Sequence, residues 1–161
     1  MIFEIASAIP AALSDVNGKV FYSGRDAFQA GRPVYLLGYN PGGQPDALLA
    51  ETVASHTRAV LTSLPSNWSA YRDESWISGG HRQTAGTATF QPVILQLIDA
   101  LGIDPGFLPS SNLVFARSAH VAHLNSRKEL HRLCWPAHST ASGHPFHEHP
   151  AGRSMNIQPP S

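Results

Sequence analysis

Apolar side chains recur along this chain in three helical stripes and two short continuous runs, divided by turn-rich stretches that carry no period. Ile2, Ile5, Ile9 and Leu13 fall three or four residues apart, which predicts an amphipathic helix over 2–14 with Pro10 as a kink or early stop. Residues 15–32 then read as a polar connection to the first strand. Leu49, Val53, Val60, Leu61 and Leu64 predict a second helix over 46–63 with Asp46 as its N-cap. Val93, Ile94, Leu97, Ile98 and Leu101 predict a third over 90–101, stopped at Gly102.

The two continuous runs read as buried strands. Val34 to Leu37 lie in a strand predicted over 33–39, and Ser111-Asn112-Leu-Val-Phe-Ala116 gives a second over 112–116. Residues 65–89 carry Trp68, Tyr71, Trp76 and several glycines without periodicity, a loop of the length that is often functional. Ser126 and Glu129 have capping-box spacing, so a further helix is expected from there to Leu133. The handedness rule for crossovers makes the two strands parallel neighbours in one sheet. The fold class expected is α/β, a three-layer α/β/α domain with a short parallel sheet. Such sheets normally have four or more strands, so two leave a core that looks incomplete on its C-terminal side.

Composition narrows the reading. A length of 161 residues fits one domain. Beyond Trp135 there is no run of even three consecutive strong hydrophobes, and residues 137–161 are a His-, Pro- and Gly-rich stretch expected to be disordered, leaving 1–136 as the domain. Eleven basic and eleven acidic residues cancel, so no general field draws the chain to nucleic acid or anionic membrane, and any such site must be local. The single Cys134 excludes an internal disulfide. No apolar run approaches the roughly 18 residues that span a bilayer, and the N-terminus lacks a basic signal region, so a cytoplasmic protein without membrane partners is expected.

The stretch richest in chemistry ends the first strand: Gly38-Tyr39-Asn40-Pro41-Gly42-Gly43. Glycine permits positive φ and close backbone approach, and Pro41 pushes Asn40 towards extended backbone. Loops at the carboxyl ends of strands in open α/β sheets are where ligands bind. The plain alternative for Asn40 is a turn residue bonded to its own backbone, and for Asn112 a strand-capping role.

Gly38-Tyr-Asn-Pro-Gly42, followed by the Asn112-bearing strand ending at Arg117, resembles the uracil-DNA glycosylase superfamily, in particular its mismatch-specific and single-strand-selective branches. The resemblance covers about residues 30–136. It implies an enzyme of base excision repair, hydrolysing the N-glycosidic bond of uracil or a related damaged base in DNA without a cofactor or metal. The departing base leaves through an oxocarbenium-like state, which requires a positioned water and stabilisation of the base anion rather than a strong nucleophile. By resemblance, Asn40 is the catalytic, water-positioning residue and Asn112 reads the Watson–Crick edge of the flipped base. Tyr39 and Phe90, with Trp76 and His81, are stacking candidates. Gly38, Pro41, Gly42, Gly43 and Arg117 would approach DNA phosphate.

The family's third motif is not matched convincingly. Gly143-His-Pro-Phe146 imitates it, but the 31 residues from 113 to 143 are too few for the helices and strands that belong between, which need roughly 50. A truncated or frame-shifted reading frame would produce this pattern, and whether such a chain is active is a separate question. The alternatives are a non-catalytic remnant and a small phosphate- or nucleotide-binding α/β domain. His138, His144, His147 and His149 invite a metal reading, but they lack a scaffold and partner ligands other than Glu148, so no metal site is expected. Dinucleotide, phosphate-loop and nucleophile-elbow motifs are absent.

Overall fold

The computed structural model describes residues 1–42, 51–78, 80–88 and 90–118. The expected Asp46 cap, Leu49, Gly43, the 126–133 helix, Cys134 and the histidine-rich stretch lie outside them. Helix α1 spans Ile2–Ser7, and the chain breaks at Pro10 into a 3-10 turn at Ala11–Leu13, so the proline is a stop and not a kink. Helix α2 spans Val53–Thr62 and starts seven residues after the expected 46. Its cap is Thr52, whose hydroxyl oxygen accepts the Ser55 N–H at 3.1 Å.

Strand β1 covers Leu36–Gly38 and β4 covers Ser110–Asn112. They pair in parallel, Leu36 with Ser110, Leu37 with Ser111 and Gly38 with Asn112. The parallel pairing is the expected one, with two corrections. Asn112 closes its strand instead of opening it, and Leu37, expected in a buried strand, is exposed. Between them the unperiodic 65–89 region holds a short helix α3, Ala70–Asp73, and a two-residue hairpin of β2, Ile77–Ser78, with β3, His81–Arg82. Helix α4 spans Gln91–Ala100, and Gly102 at φ +66° ends it as expected.

The largest departure concerns residues 15–32. Far from being a polar connection, they hold Val20, Phe21, Tyr22, Ala27 and Phe28, all buried in the main core with Ile2, Ile5, Leu13, Val53, Val60, Trp68 and Phe115. Residues 17–23 run antiparallel along the other edge of β4. Arg117 N–H donates to Asn17 O, Lys19 N–H to Phe115 O, Asn112 N–H to Val20 O and Tyr22 N–H to Ser110 O, at 2.8 to 3.0 Å. The same segment accepts Ala70 N–H at Tyr22 O and donates Gly18 N–H to Glu51 O, so it ties the sheet to α2 and α3. None of the described helices is long and apolar enough to cross a membrane.

Candidate functional site

The carboxyl ends of β1 and β4 lie side by side, and the chain beyond each is stitched to the other. Leu113 and Val114 donate successive N–H groups to Gly38 O and Tyr39 O, both at 2.8 Å. Arg117 Nη1 donates to Gly42 O at 2.6 Å, and Ser118 N–H to Pro41 O at 3.3 Å. The Asn40 amide nitrogen donates to Pro41 O at 3.2 Å and to Ser118 O at 3.3 Å. Two carbonyl acceptors fix which end of the amide is nitrogen. The half-buried Asn40 is thereby left with its Oδ1 as an acceptor that no described residue engages.

Gly38 is required here by a close approach and not by backbone conformation, since neither it nor Gly42 has positive φ. A Cβ on Gly38 would sit 2.6 Å from Asn112 Oδ1. Asn112 is only 2 % exposed, and its Nδ2 donates to Lys19 O at 3.1 Å. The amide lies folded against β1 and is tied to the segment beside it. Pro41 is fully buried and fixes the loop, whereas Tyr39 is exposed and Gly42 has open space around it.

Of the expected residues, Gly38, Tyr39, Asn40, Pro41, Gly42, Asn112 and Arg117 gather at this end of the sheet, and Gly43 lies outside the described residues. Phe90 is not joined to them by any hydrogen bond or ring contact, and stands exposed at the start of α4. Trp76 packs against the core, and His81 is exposed on the hairpin. The two asparagines share the site without bonding to each other. Two grooves lie elsewhere: one of about 310 Å³ between α1 and α2, and one of about 260 Å³ beside Arg32 and Phe107.

A polar cluster beneath Asn112 was not foreseen. Lys19, nearly buried, forms ion pairs with Glu74 and, at 3.1 Å, with Glu51. A buried ammonium costs several kcal/mol unless paired, and two carboxylates provide the pairing. Burial alone would raise the Glu51 carboxyl, but Lys19 and His56 hold it below its usual range. His56 is pushed down to about 4 by burial first and Lys19 second, so it is neutral near pH 7. Tyr22 is pushed up to about 12 by burial, against the pull of a hydrogen bond with Asn112. The local signal was Lys19 heading the run Val20-Phe21-Tyr22, but its partners are distant in sequence. Among the described residues no group of three His, Cys, Asp or Glu side chains could hold a metal.

Helices joined to a small parallel sheet define a mixed α/β fold. No family model, curated protein or solved structure matches the chain.

Proposed function

We propose that this chain is a uracil-DNA glycosylase-like protein on a three-layer α/β/α frame, whose site at the carboxyl ends of β1 and β4 engages uracil or a related damaged base in DNA and hydrolyses its N-glycosidic bond. The observation supporting this most is the register that sets Gly38 opposite Asn112, so that the Asn40 loop and Asn112 belong to adjacent parallel strands at the end where α/β sheets bind ligands. Asn40 Oδ1, with its amide nitrogen anchored on two carbonyls, accepts a hydrogen bond from the water that attacks the anomeric carbon. Exposed Tyr39 offers a ring for the extruded base, and Arg117, braced on Gly42 O, offers a cation for phosphate.

One observation favours a second reading, a binding domain without catalysis: the Asn112 amide is buried and committed to Lys19 O, where a base reader would present its edge. An activity assay separates the two. The purified chain is incubated with uracil-containing single- and double-stranded oligonucleotides, and alkali-labile abasic sites are counted. Catalysis predicts cleavage that falls about a hundredfold or more in Asn40→Ala. A folded but silent wild type, or an equally active Asn40→Ala, overturns it.

A further inference from the structure

The groove of about 310 Å³ between α1 and α2 has walls joined by backbone. Ala54 N–H donates to Ser14 O at 3.0 Å and Val53 N–H to Val16 O at 2.9 Å, so the turn after α1 is pinned to the start of α2. Val53, Thr57 and Leu61 recur at intervals of four and lay one row of α2 along the groove, and Ile9, just beyond α1, adds to its apolar lining. Its polar side chains include two without a partner. Thr57 is only 8 % exposed, and its hydroxyl makes no hydrogen bond. Elsewhere on α2, Thr62 Oγ1 donates to Arg58 O at 2.9 Å, the bond to the preceding turn that a helical threonine can always make. The Thr57 hydroxyl forgoes that bond, which in a buried position costs stability. Arg58, the next residue, is exposed and lines the same groove; it pairs with no carboxylate among the described residues, and no acidic side chain lines the groove.

The geometry points to this groove as a binding site for a small amphipathic monocarboxylate, separate from the site at the ends of β1 and β4. The Arg58 guanidinium takes the carboxylate, the Thr57 hydroxyl donates to it, and the apolar tail lies along Ile9, Val53 and Leu61. Each part of the ligand answers a feature of the groove. A guanidinium fork matches the two oxygens of a carboxylate with parallel N–H donors. One cation neutralises one negative charge, whereas a phosphate monoester would bring up to two. Apolar walls disfavour a polar tail, which would lose its hydration there. At roughly 30 Å³ for each water-sized unit, the groove holds about ten, the size of octanoate or phenylacetate. Ligands this small bind weakly, with dissociation constants expected at about 0.1–1 mM.

Amide chemical-shift titration of the isotope-labelled full chain with sodium octanoate tests this, with octanol as the uncharged control. Octanoate is expected to give saturable shifts centred on Ala54, Thr57, Arg58 and Leu61, and to bind about tenfold or more tightly than octanol, whose hydroxyl forms no charge-assisted pair. Arg58→Ala should bring octanoate down to the affinity of octanol and leave octanol unchanged. Thr57→Val should weaken octanoate and, without ligand, raise the melting temperature, because it removes a buried hydroxyl that has no partner. Should Thr57→Val fail to fold, exposed Arg58 decides the outcome. The inference is overturned by shifts that do not saturate or that spread over the whole chain, by equal affinity for octanoate and octanol, or by an Arg58→Ala that binds octanoate like wild type. A folded Thr57→Val with a lowered melting temperature also overturns it, since the hydroxyl would then have a partner within the chain.

Discussion

Residues 17–23 and helix α4 reverse what their sequences suggest. The first has no helical or alternating period and includes a lysine and a serine, yet Val20 and Phe21 are wholly buried and its backbone pairs with β4, α2 and α3. The second has the cleanest apolar period in the chain, yet shows four large hydrophobic side chains to solvent. Period reports the local backbone; burial depends on which neighbours arrive. Segment 17–23 is enclosed on both faces, so alternation has no solvent side to record. Helix α4 is secured through a polar residue, Gln91, and its stripe finds no partner among the described residues.

The sharpest way to break this contrast is truncation on each side. Phe21→Ala removes a ring packed edge-on against Phe28 at 5.4 Å and is expected to cost about 3–5 kcal/mol in denaturant unfolding. Leu97→Ala at dilute concentration is expected to cost less than about 1 kcal/mol. Equal costs would mean that α4's stripe is core after all.

Acid titration probes the buried polar cluster around Lys19 through His56, whose ring lies edge-on to Trp68 with centroids 6.0 Å apart and in the field of Lys19, Glu51 and Arg117. Its folded pKa, about 4, is below the ordinary 6.5, so the unfolded chain binds the proton more readily. Its contribution is therefore complete above pH 6.5 and is lost as pH falls towards about 4, a change on the order of 3 kcal/mol. Glu51, held low by Lys19, adds a loss of the same sign at more acid pH. Stability measured from pH 7.5 to pH 4.5 should fall steeply in wild type and much less in His56→Leu. Parallel curves would count against a buried neutral imidazole.

A smaller effect is expected where that cluster meets the candidate site. Gly38→Ala sets a methyl against Asn112 Oδ1 and should destabilise by about 1–3 kcal/mol. Adding Asn112→Ala should recover part of that loss, because the clash disappears with the amide. Strictly additive costs would show that the two residues do not meet.

Much of the frame was legible. The apolar run at 33–39 contained β1, and the parallel pairing followed from crossover handedness, but β4 is the polar Ser110–Asn112 just ahead of the apolar run expected at 112–116. Helices α2 and α4 followed from their periods, although Thr52 capped α2 where Asp46 was expected, since propensity does not fix a terminus. Gly38, Asn40 and Asn112 were recognisable because a local motif carries them. Lys19 was not, because its meaning comes from Glu74, 55 residues away, and from Glu51, neither within reach of any local pattern. The burial of Asn112 was equally hidden, since it depends on a carbonyl supplied by the segment taken for a connection.

The central claim is that the joined ends of β1 and β4 form a site for uracil-containing DNA, and amide chemical-shift mapping tests it whether or not turnover occurs. Isotope-labelled protein titrated with a uracil-containing single-stranded oligonucleotide should show its largest shifts at Gly38, Tyr39, Asn40, Gly42, Asn112 and Arg117, with weaker ones for the thymine-containing control. Shifts confined to the α1–α2 groove or to α4, or none at saturating oligonucleotide, would contradict it.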